Sequence, residues 1–237
     1  EKELENFKKL LPSLVVVVAY GQIIPKNFLA IPKLGFINIH ASLLPTWRGA
    51  APIQRAIMNE DKTIGLSIMK IEEKLDSGPV MAFKKSELNK NLTFGEIEKK
   101  LSSEGANLLI ESLRILEAGN PKFIEQDHSK ATYAKKIDKN ETRINWNKDA
   151  NKVLAHIHGL SPRPGAWFEF EKERFKILKA KISSANGKSG CVLDENLIIG
   201  CSSDSIQILE IQRQGKKKQT VKEFLLGKKI KKGTILV

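Results

Sequence analysis

Residues 36–57 read FINIHASLLPTWRGAAPIQRAI, and this segment decides the fold. Its first part belongs to GFINIH (35–40), a short apolar run typical of a strand buried in a sheet. Its last part belongs to GAAPIQRAIMNE (49–60), which has the pattern of a helix. A strand, a loop and a helix in this order indicate an α/β protein, in which ligands bind beyond the carboxyl ends of the strands. The loop is therefore predicted to face a ligand.

Further strand patterns lie on both sides of this segment. LVVVVAYG (14–21) is a continuous β-branched run, which predicts a parallel strand buried on both faces. TIGLSIMKI (63–71) and PVMAFKKSEL (79–88) alternate polar and apolar residues. This alternation predicts an antiparallel pair at one edge of the same sheet.

Two helix patterns follow these strands, before residue 161. A long amphipathic helix is predicted from Thr93 to Gly119, with Thr93 and Glu96 as a capping box. A shorter helix is predicted over 149–160 and is expected to end at Gly159. The chain thus alternates strands and helices before its texture changes.

After residue 165 the pattern changes to short strands separated by Gly, Asn, Asp and Ser. Such closely spaced strands are typical of a small barrel or sandwich. Residues 120–137, after the long helix, look irregular and are interpreted as a connector. The predicted organisation is a catalytic domain over 1–119, a linker over 120–137 and a C-terminal domain over 138–237.

The charge of the chain is strongly positive. Forty Lys and Arg residues against 27 Asp and Glu give a net charge of +13, which favours a polyanionic partner such as nucleic acid. Residues 138–237 hold 20 basic and 11 acidic side chains, and residues 211–233 hold nine basic and one acidic. The alternative is a Lys-rich solvated surface. Lys216, Lys217 and Lys218 are the candidates for contact with a phosphate backbone.

Cysteine, histidine and hydropathy patterns exclude several other classes. Cys191 and Cys201 lie in apolar runs, which indicates free thiols and a reducing, cytoplasmic compartment. With four His and no CxxC spacing, no metal site is predicted. No apolar run approaches the length of a membrane-spanning helix, so no membrane partner is expected.

The candidate chemistry lies at the end of the 35–40 strand. Asn38 and His40 are two residues apart, so their side chains share one face of the strand. An amide can donate to a developing oxyanion, and an imidazole can hold or move a proton near neutral pH. Asp76, before a Gly-Pro turn, could orient the imidazole. The alternatives are a hydrogen-bonded strand pair and an aspartate that serves as a turn former.

Several motifs together resemble the folate-dependent formyltransferases. They are NIH (38–40), SLLP (42–45), WRGAAPI (47–53), LDSGP (75–79) and ATYAKKIDKNETRINW (131–146). The resemblance implies an α/β, Rossmann-like formyltransferase domain followed by a small OB-like β-barrel that binds tRNA. The family has further βα units before the point at which this chain starts. We therefore expect a partial Rossmann-like domain, with an exposed apolar sheet edge at its first strand.

The resemblance also implies the roles of individual residues. In the family, the residues matching Asn38, His40 and Asp76 are catalytic. The residues that match the folate site are Ser42, Leu43, Leu44 and Pro45, with Gln22, Ile23 and Ile24 near the pterin. The residues expected to contact tRNA are Arg48, Lys216, Lys217 and Lys218.

Within the family, the segment HASLLPTWRGAAPIQRAI is most similar to members that formylate methionyl-tRNA. The implied reaction transfers a formyl group from 10-formyltetrahydrofolate to the α-amino group of initiator methionyl-tRNA, without a metal. A cytoplasmic monomer is expected. One alternative is formyl transfer to a small amine such as glycinamide ribonucleotide or an amino-sugar nucleotide. The other is a catalytically silent RNA-binding protein.

Overall fold

The computed structural model describes residues 2–236 and divides into two compact units. The first comprises Glu1–Ile53, Lys62–Glu87 and Glu98–Lys136, and the second comprises Gln54–Asp61, Leu88–Ile97 and Ile137–Val237. Both combine helices with strands, which confirms the mixed α/β class. The domain boundaries drawn from the sequence stay a prediction.

The helices are α1 (Lys2–Lys9), α2 (Lys26–Leu29), α3 (Pro52–Met58), α4 (Phe94–Glu117), α5 (Ala150–Leu160) and α6 (Val221–Gly227). Short 3-10 turns cover His128–Lys130 and Asn140–Thr142. The strands are β1 (Val15–Val17), β2 (Phe36–His40), β3 (Arg48–Gly49), β4 (Thr63–Lys70), β5 (Val80–Glu87), β6 (Tyr133–Ala134), β7 (Ala166–Phe170), β8 (Glu173–Ser183), β9 (Ile198–Gly200), β10 (Ser205–Arg213) and β11 (Lys218–Thr220).

The main sheet of the first unit has the strand order β1-β2-β4-β5. Strand β2 runs parallel to β1 and antiparallel to β4, and β4 pairs antiparallel with β5 at one edge. The predicted antiparallel edge pair is thereby confirmed. A second, two-stranded sheet pairs β3 with β6 in parallel.

The prediction that the 14–21 run is buried on both faces is wrong. Only Val15–Val17 form a strand, and β1 pairs on one side alone among the described residues. Val16 is 37% exposed and Val18 is 60% exposed. A β-branched run specifies an extended backbone, whereas burial depends on neighbours that the run itself does not encode. The expected exposed apolar edge is observed here.

The core of the first unit lies between the sheet and α4. Ile37 of β2 and Ile68 of β4 are fully buried, and Leu116 of α4 joins them. Further along α4, Gly105 lies against Ile39 and Leu66, where an added Cβ would be 3.5 Å from both side chains. One face of β2 is thus fixed against the helix, which leaves the other face for polar side chains.

The second unit is built on an antiparallel sheet with the order β11-β10-β8-β7 and with β9 paired to β10. Its inner face carries Phe168, Phe175, Ile177 and Ile211, all fully buried. The strand pairs recorded for residues 2–236 do not close this sheet into a ring. The OB-like barrel therefore stays a prediction.

Helix ends follow the capping patterns of the sequence. The Thr93 amide donates to Glu96 at 2.7 Å and the Glu96 amide donates to Thr93 Oγ1 at 3.4 Å, so the predicted capping box is confirmed. The helix predicted over 149–160 is confirmed as α5, Ala150–Leu160, with Gly159 in its last turn and Ser161 after it. Gly159 also allows close packing, since a Cβ there would lie 2.7 Å from the Met58 side chain. None of the helices within residues 2–236 is long and apolar enough to cross a membrane.

Candidate active site

Strand β2 presents Asn38 and His40 on the face that does not contact the α4 core. Ile37 and Ile39 pack with that core, so alternation directs the two polar side chains to the opposite face. His40 is only 6% exposed, whereas Asn38 is half-buried. Among residues 2–236, the Asn38 side chain has no hydrogen-bond partner, so its amide is available to a ligand.

His40 is held between a carbonyl group and a carboxylate. Its Nε2 lies 2.8 Å from the carbonyl oxygen of Trp47, which can only accept, so Nε2 carries the hydrogen. Its Nδ1 lies 3.7 Å from Oδ2 of Asp76. Nδ1, which then carries no hydrogen, faces this carboxylate. This geometry suits a group that takes up a proton during a reaction.

Asp76 is fixed by a backbone hydrogen bond from the loop. The Gly49 amide donates to Asp76 Oδ2 at 2.7 Å, the same oxygen that faces His40. Gly49 has a φ of +117°, and a Cβ there would lie 2.8 Å from the carbonyl oxygen of Ala134. Only glycine fits this close approach. Asp76 itself has a φ of +46°, a left-handed conformation that is uncommon for non-glycine residues.

Arg48 is buried, and its predicted contact with tRNA stays a prediction. It is 4% exposed, and its Nε and Nη2 donate to Gln126 Oε1 at 3.1 and 2.7 Å. Nη2 also lies 2.8 Å from His128 Nδ1, which accepts because guanidinium can only donate. The sequence pattern showed a cation in a loop but not the partners that bury it. Arg48 therefore supports the loop from within.

Gln126 connects this arginine to the aspartate and was missed in the sequence. Its Nε2 donates to the carbonyl oxygens of Asp76 at 3.0 Å and Gly78 at 2.6 Å. Gln126 lies in the segment interpreted as a linker, where no periodicity marks it. The nearby signal in the sequence is the family motif that begins at Ala131, which indicates that this part of the chain belongs to the family's fold.

The same segment anchors the loop at two more points. The Trp47 amide donates to Thr132 Oγ1 at 2.9 Å, and the Arg48 amide donates to the Thr132 carbonyl at 2.8 Å. The parallel pairing of β3 with β6 then brings Gly49 opposite Ala134. The loop whose Trp47 carbonyl contacts His40 is thus anchored by Thr132 and by the pairing of β3 with β6.

The SLLP turn is held by a buried serine of β4. Ser67 Oγ accepts from the Leu44 amide at 3.1 Å and donates to the Ser42 carbonyl at 2.6 Å. Ser42 Oγ donates to the Thr46 carbonyl at 2.5 Å. Ser42 and Leu44 are buried, so these two residues shape the turn, whereas Leu43 and Pro45 are partly exposed.

The remaining predicted ligand residues lie on exposed segments. Gln22 and Ile23 are exposed after β1, and Ile24 is half-buried. Lys216 and Lys217 are exposed on the turn between β10 and β11. Lys218 forms an ion pair with Glu210 at 3.2 Å. The structure records no contact that assigns a ligand to any of these residues, and their roles stay predictions.

Comparison with known proteins defines first the class and then the family. The model of the formyl transferase domain matches residues 1–113, and the model of the formyl transferase C-terminal domain matches residues 136–229. Together they account for most of the chain, and the resemblance to formyltransferases is confirmed.

Two curated relatives refine this class. Methionyl-tRNA formyltransferase of Pelagibacter ubique is 50% identical over 235 residues, which are 99% of this chain and 76% of that protein. Methionyl-tRNA formyltransferase of Bradyrhizobium diazoefficiens is 44% identical over 237 residues, 98% of this chain and 76% of that protein. The chain therefore belongs to the methionyl-tRNA formyltransferase family.

A solved structure supports the fold independently. HypX from Aquifex aeolicus, crystallised with tetrahydrofolic acid, matches with a TM-score of 0.74 at 21% identity. The match covers 94% of this chain but only 40% of HypX. This likeness concerns the fold alone.

Proposed function

We propose that this protein transfers the formyl group of 10-formyltetrahydrofolate to the α-amino group of methionyl-tRNA, which supplies the formylated initiator for translation. The observation that carries the proposal is the position of the Asp76 carboxylate between the His40 ring and the Gly49 amide. The Asn38 side-chain amide, on the same face of β2 as His40, completes the three catalytic candidates. Family membership supports the choice of substrate.

The reaction is an acyl transfer. The amino nitrogen attacks the formyl carbon, and the carbonyl oxygen gains negative charge in a tetrahedral intermediate. Asn38 donates to that oxygen, and His40 receives the proton that the amine loses. The carbon–nitrogen bond to N10 of the folate then breaks, and the proton moves to the leaving nitrogen. Asp76 stabilises the protonated ring between these two steps.

We place the folate beside the SLLP turn. Leu43 and Pro45 offer partly exposed apolar surface there, and Ser42 and Leu44 give the turn its shape. Such a surface suits a flat, uncharged ring system, with Gln22, Ile23 and Ile24 as further candidates for the pterin. The donor is a co-substrate and requires no metal in this proposal.

We further propose a cytoplasmic monomer with an OB-like barrel in its second unit. The described residues of a single chain supply all three catalytic candidates, so a second copy is not needed for the site. Cys191 and Cys201 are free, which fits a reducing compartment. Lys216, Lys217 and Lys218 are retained as candidate contacts with the tRNA backbone.

The test is formyl transfer with labelled 10-formyltetrahydrofolate and two acceptors in parallel. We expect label on methionyl-tRNA and none on glycinamide ribonucleotide. Label on the small amine would contradict the proposed substrate. Tight tRNA binding without transfer to either acceptor would instead indicate an RNA-binding protein.

A further inference from the structure

One short segment of the loop contacts both His40 and Asp76 through its backbone. The Trp47 carbonyl oxygen lies 2.8 Å from His40 Nε2. The Gly49 amide donates to Asp76 Oδ2 at 2.7 Å. The residue between these two, Arg48, turns its side chain away from solvent and is 4% exposed. Because one segment carries both backbone contacts, whatever fixes Arg48 also fixes the backbone groups on either side of it.

Gln126 bonds to the Arg48 side chain at one end of its amide and to the turn that carries Asp76 at the other. Arg48 Nε and Nη2 donate to Gln126 Oε1 at 3.1 and 2.7 Å. Gln126 Nε2 donates to the carbonyl oxygens of Asp76 and Gly78 at 3.0 and 2.6 Å. A guanidinium can only donate and a carbonyl can only accept, so these partners fix which end of the amide faces which. Gln126 is 7% exposed, which shields the bonds from competition by water.

These bonds form a closed ring that includes both the backbone and the carboxylate of Asp76. The ring runs from the Arg48 guanidinium through the Gln126 amide to the Asp76 carbonyl. It returns from the Asp76 carboxylate to the Gly49 amide, which is next to Arg48 in the chain. Asp76 has a φ of +46°, which is unfavourable for a residue other than glycine, so its conformation depends on such contacts. The ring thereby holds the Asp76 carboxylate 3.7 Å from His40 Nδ1.

The turn that carries Asp76 lies at the surface, because residues 72–75 before it are exposed. An antiparallel bridge joins Val80 to Ile124 just after this turn, with N–H···O distances of 2.8 and 2.9 Å. This bridge brings Gln126, two residues further along the chain than Ile124, alongside the turn. The bonds from Gln126 therefore tie a surface turn to a buried part of the first unit.

We propose that Arg48 and Gln126 are positioning residues for formyl transfer, and that they act through Asp76 by holding its carboxylate against His40. The inference rests on the proposed function, in which Asp76 is catalytic. Neither positioning residue is assigned a contact with the substrate. A misplacement of about 1 Å in a reacting geometry can lower a rate about 100-fold. The kinetic signature expected of both residues is therefore a lower kcat at unchanged KM.

The test is a double-mutant cycle that combines Gln126→Glu with Asp76→Ala. Glutamate keeps an acceptor for Arg48 but cannot donate to the Asp76 and Gly78 carbonyls. In the parent background, Gln126→Glu is expected to lower kcat about 10- to 100-fold, with KM for methionyl-tRNA and for 10-formyltetrahydrofolate within about twofold. In the Asp76→Ala background, measured by single-turnover formyl transfer, it should change the rate by less than about twofold, because the carboxylate that Gln126 positions is absent.

Arg48→Lys provides the second arm of the test, because it keeps a cation but loses the forked guanidinium. We expect about a 10-fold lower kcat at unchanged KM, and no further loss in the Asp76→Ala background. Gln207→Glu on β10 and Arg114→Lys on the exposed side of α4 are the matched controls and should keep parental kcat. Circular dichroism checks that all variants are folded. A higher KM for methionyl-tRNA at parental kcat would contradict the positioning role and favour contact of Arg48 with tRNA.

Two further outcomes would overturn the proposal. An equal loss from Gln126→Glu in the parent and Asp76→Ala backgrounds would indicate a general structural role. Crystal structures of the parent and Gln126→Glu proteins measure the distance from His40 Nδ1 to Asp76 Oδ2 without substrate. We expect this distance to lengthen by about 1 Å or more in the variant, and an unchanged distance would contradict the proposal. Failure of the parent protein to formylate methionyl-tRNA would count against the proposed function alone, because the distance does not depend on turnover.

Discussion

The loop around His40 and Asp76 and a groove around Trp167 in the second unit use polar side chains in opposite ways. In the loop, the Asp76 carboxylate already accepts from a backbone amide, and the buried Arg48 guanidinium is occupied by Gln126 and His128. The basic side chains that line the groove are Lys139, Arg143, Arg174, Lys176 and Arg213. Four of these five form no ion pair within residues 2–236, whereas Arg213 pairs with Glu173. The first region is internally satisfied, and the second presents free charge.

This difference corresponds to two different tasks. A catalytic group must be held in one position before the substrate arrives, since a displaced group loses much of its effect. A binding surface for a polyanion must keep its donors available and exchange its counterions for the ligand. In the proposed function, the loop provides the chemistry and the groove provides affinity for tRNA.

The substitution with the largest expected effect is Asn38→Ala, which tests whether this region provides the chemistry. Loss of one oxyanion donor typically lowers kcat by about 10²- to 10³-fold, and we expect that range here with tRNA binding unchanged. The measurement is steady-state formyl transfer at saturating methionyl-tRNA. Asn151→Ala, on the exposed side of α5, is the matched control and should keep parental turnover. Near-parental kcat in the Asn38 variant would refute the assignment.

Gln126→Ala tests whether the loop depends on its internal hydrogen bonds. The change leaves the buried Arg48 guanidinium without its main acceptor and frees the Asp76 and Gly78 carbonyls. We expect a loss of about 1–3 kcal/mol in the free energy of unfolding, together with a lower kcat. Denaturant unfolding and formyl transfer measure the two effects.

Gln126→Glu separates the two halves of that network. Glutamate keeps an acceptor for Arg48 but cannot donate to the carbonyl oxygens. If the donor half positions Asp76, this variant should be more stable than Gln126→Ala and still have a reduced kcat. Full activity in both variants would show that the network is irrelevant to the site.

How much of this the sequence could predict depends on the range of the interactions. The strand–loop–helix order and the Thr93 capping box depend on neighbouring residues, and both are found in the structure. The contact of Arg48 with Gln126 spans 78 residues, and no local pattern encodes it. The segment around Gln126 therefore looked like a linker, although it carries much of the loop's support.

The groove was missed for a similar reason. The sequence showed excess positive charge and drew attention to the densest run, Lys216–Lys218. The groove cations are scattered from Lys139 to Arg213, and only strand pairing brings them together. A one-residue change in register would move Trp167 and Arg174 to the core face. Such a site becomes visible only when the register is known.

Two histidines of α5, His156 and His158, provide a pH test. His158 is fully buried, with Nδ1 donating to the Lys90 carbonyl at 3.0 Å and Nε2 accepting from the Ala180 amide at 3.3 Å. Both ring nitrogens of His158 are therefore satisfied in the neutral form. Burial lowers the pKa of His158 below its usual 6.5, despite the bond to Lys90. Burial likewise lowers the pKa of His156.

The direction of the pH effect follows from these shifts. Below pH 6.5 the unfolded chain binds protons that the folded chain does not, so stability falls as the pH is lowered towards the folded pKa values. Denaturant unfolding between pH 7.5 and 5.5 measures this. His158→Gln should show a shallower dependence than the parent. An identical dependence in parent and variant would contradict the role of His158.

The smallest effects are expected on the turn after β10. Lys216→Gln/Lys217→Gln should weaken tRNA binding by a few-fold, because exposed lysines contribute mainly long-range attraction. Lys218→Gln should change it less, since this lysine is paired with Glu210. Binding titrations at low salt resolve differences of this size. A larger loss here than in an Arg143→Gln/Arg174→Gln variant of the groove would shift the main tRNA contact to this turn.

The most direct test of the division between the two regions is a kinetic comparison of Asn38→Ala with Arg143→Gln/Arg174→Gln on methionyl-tRNA. We predict that the first lowers kcat with little change in KM, and that the second raises KM with kcat unchanged at saturation. A groove variant whose kcat stays low at saturating tRNA, or an Asn38 variant whose defect is confined to KM, would contradict the account.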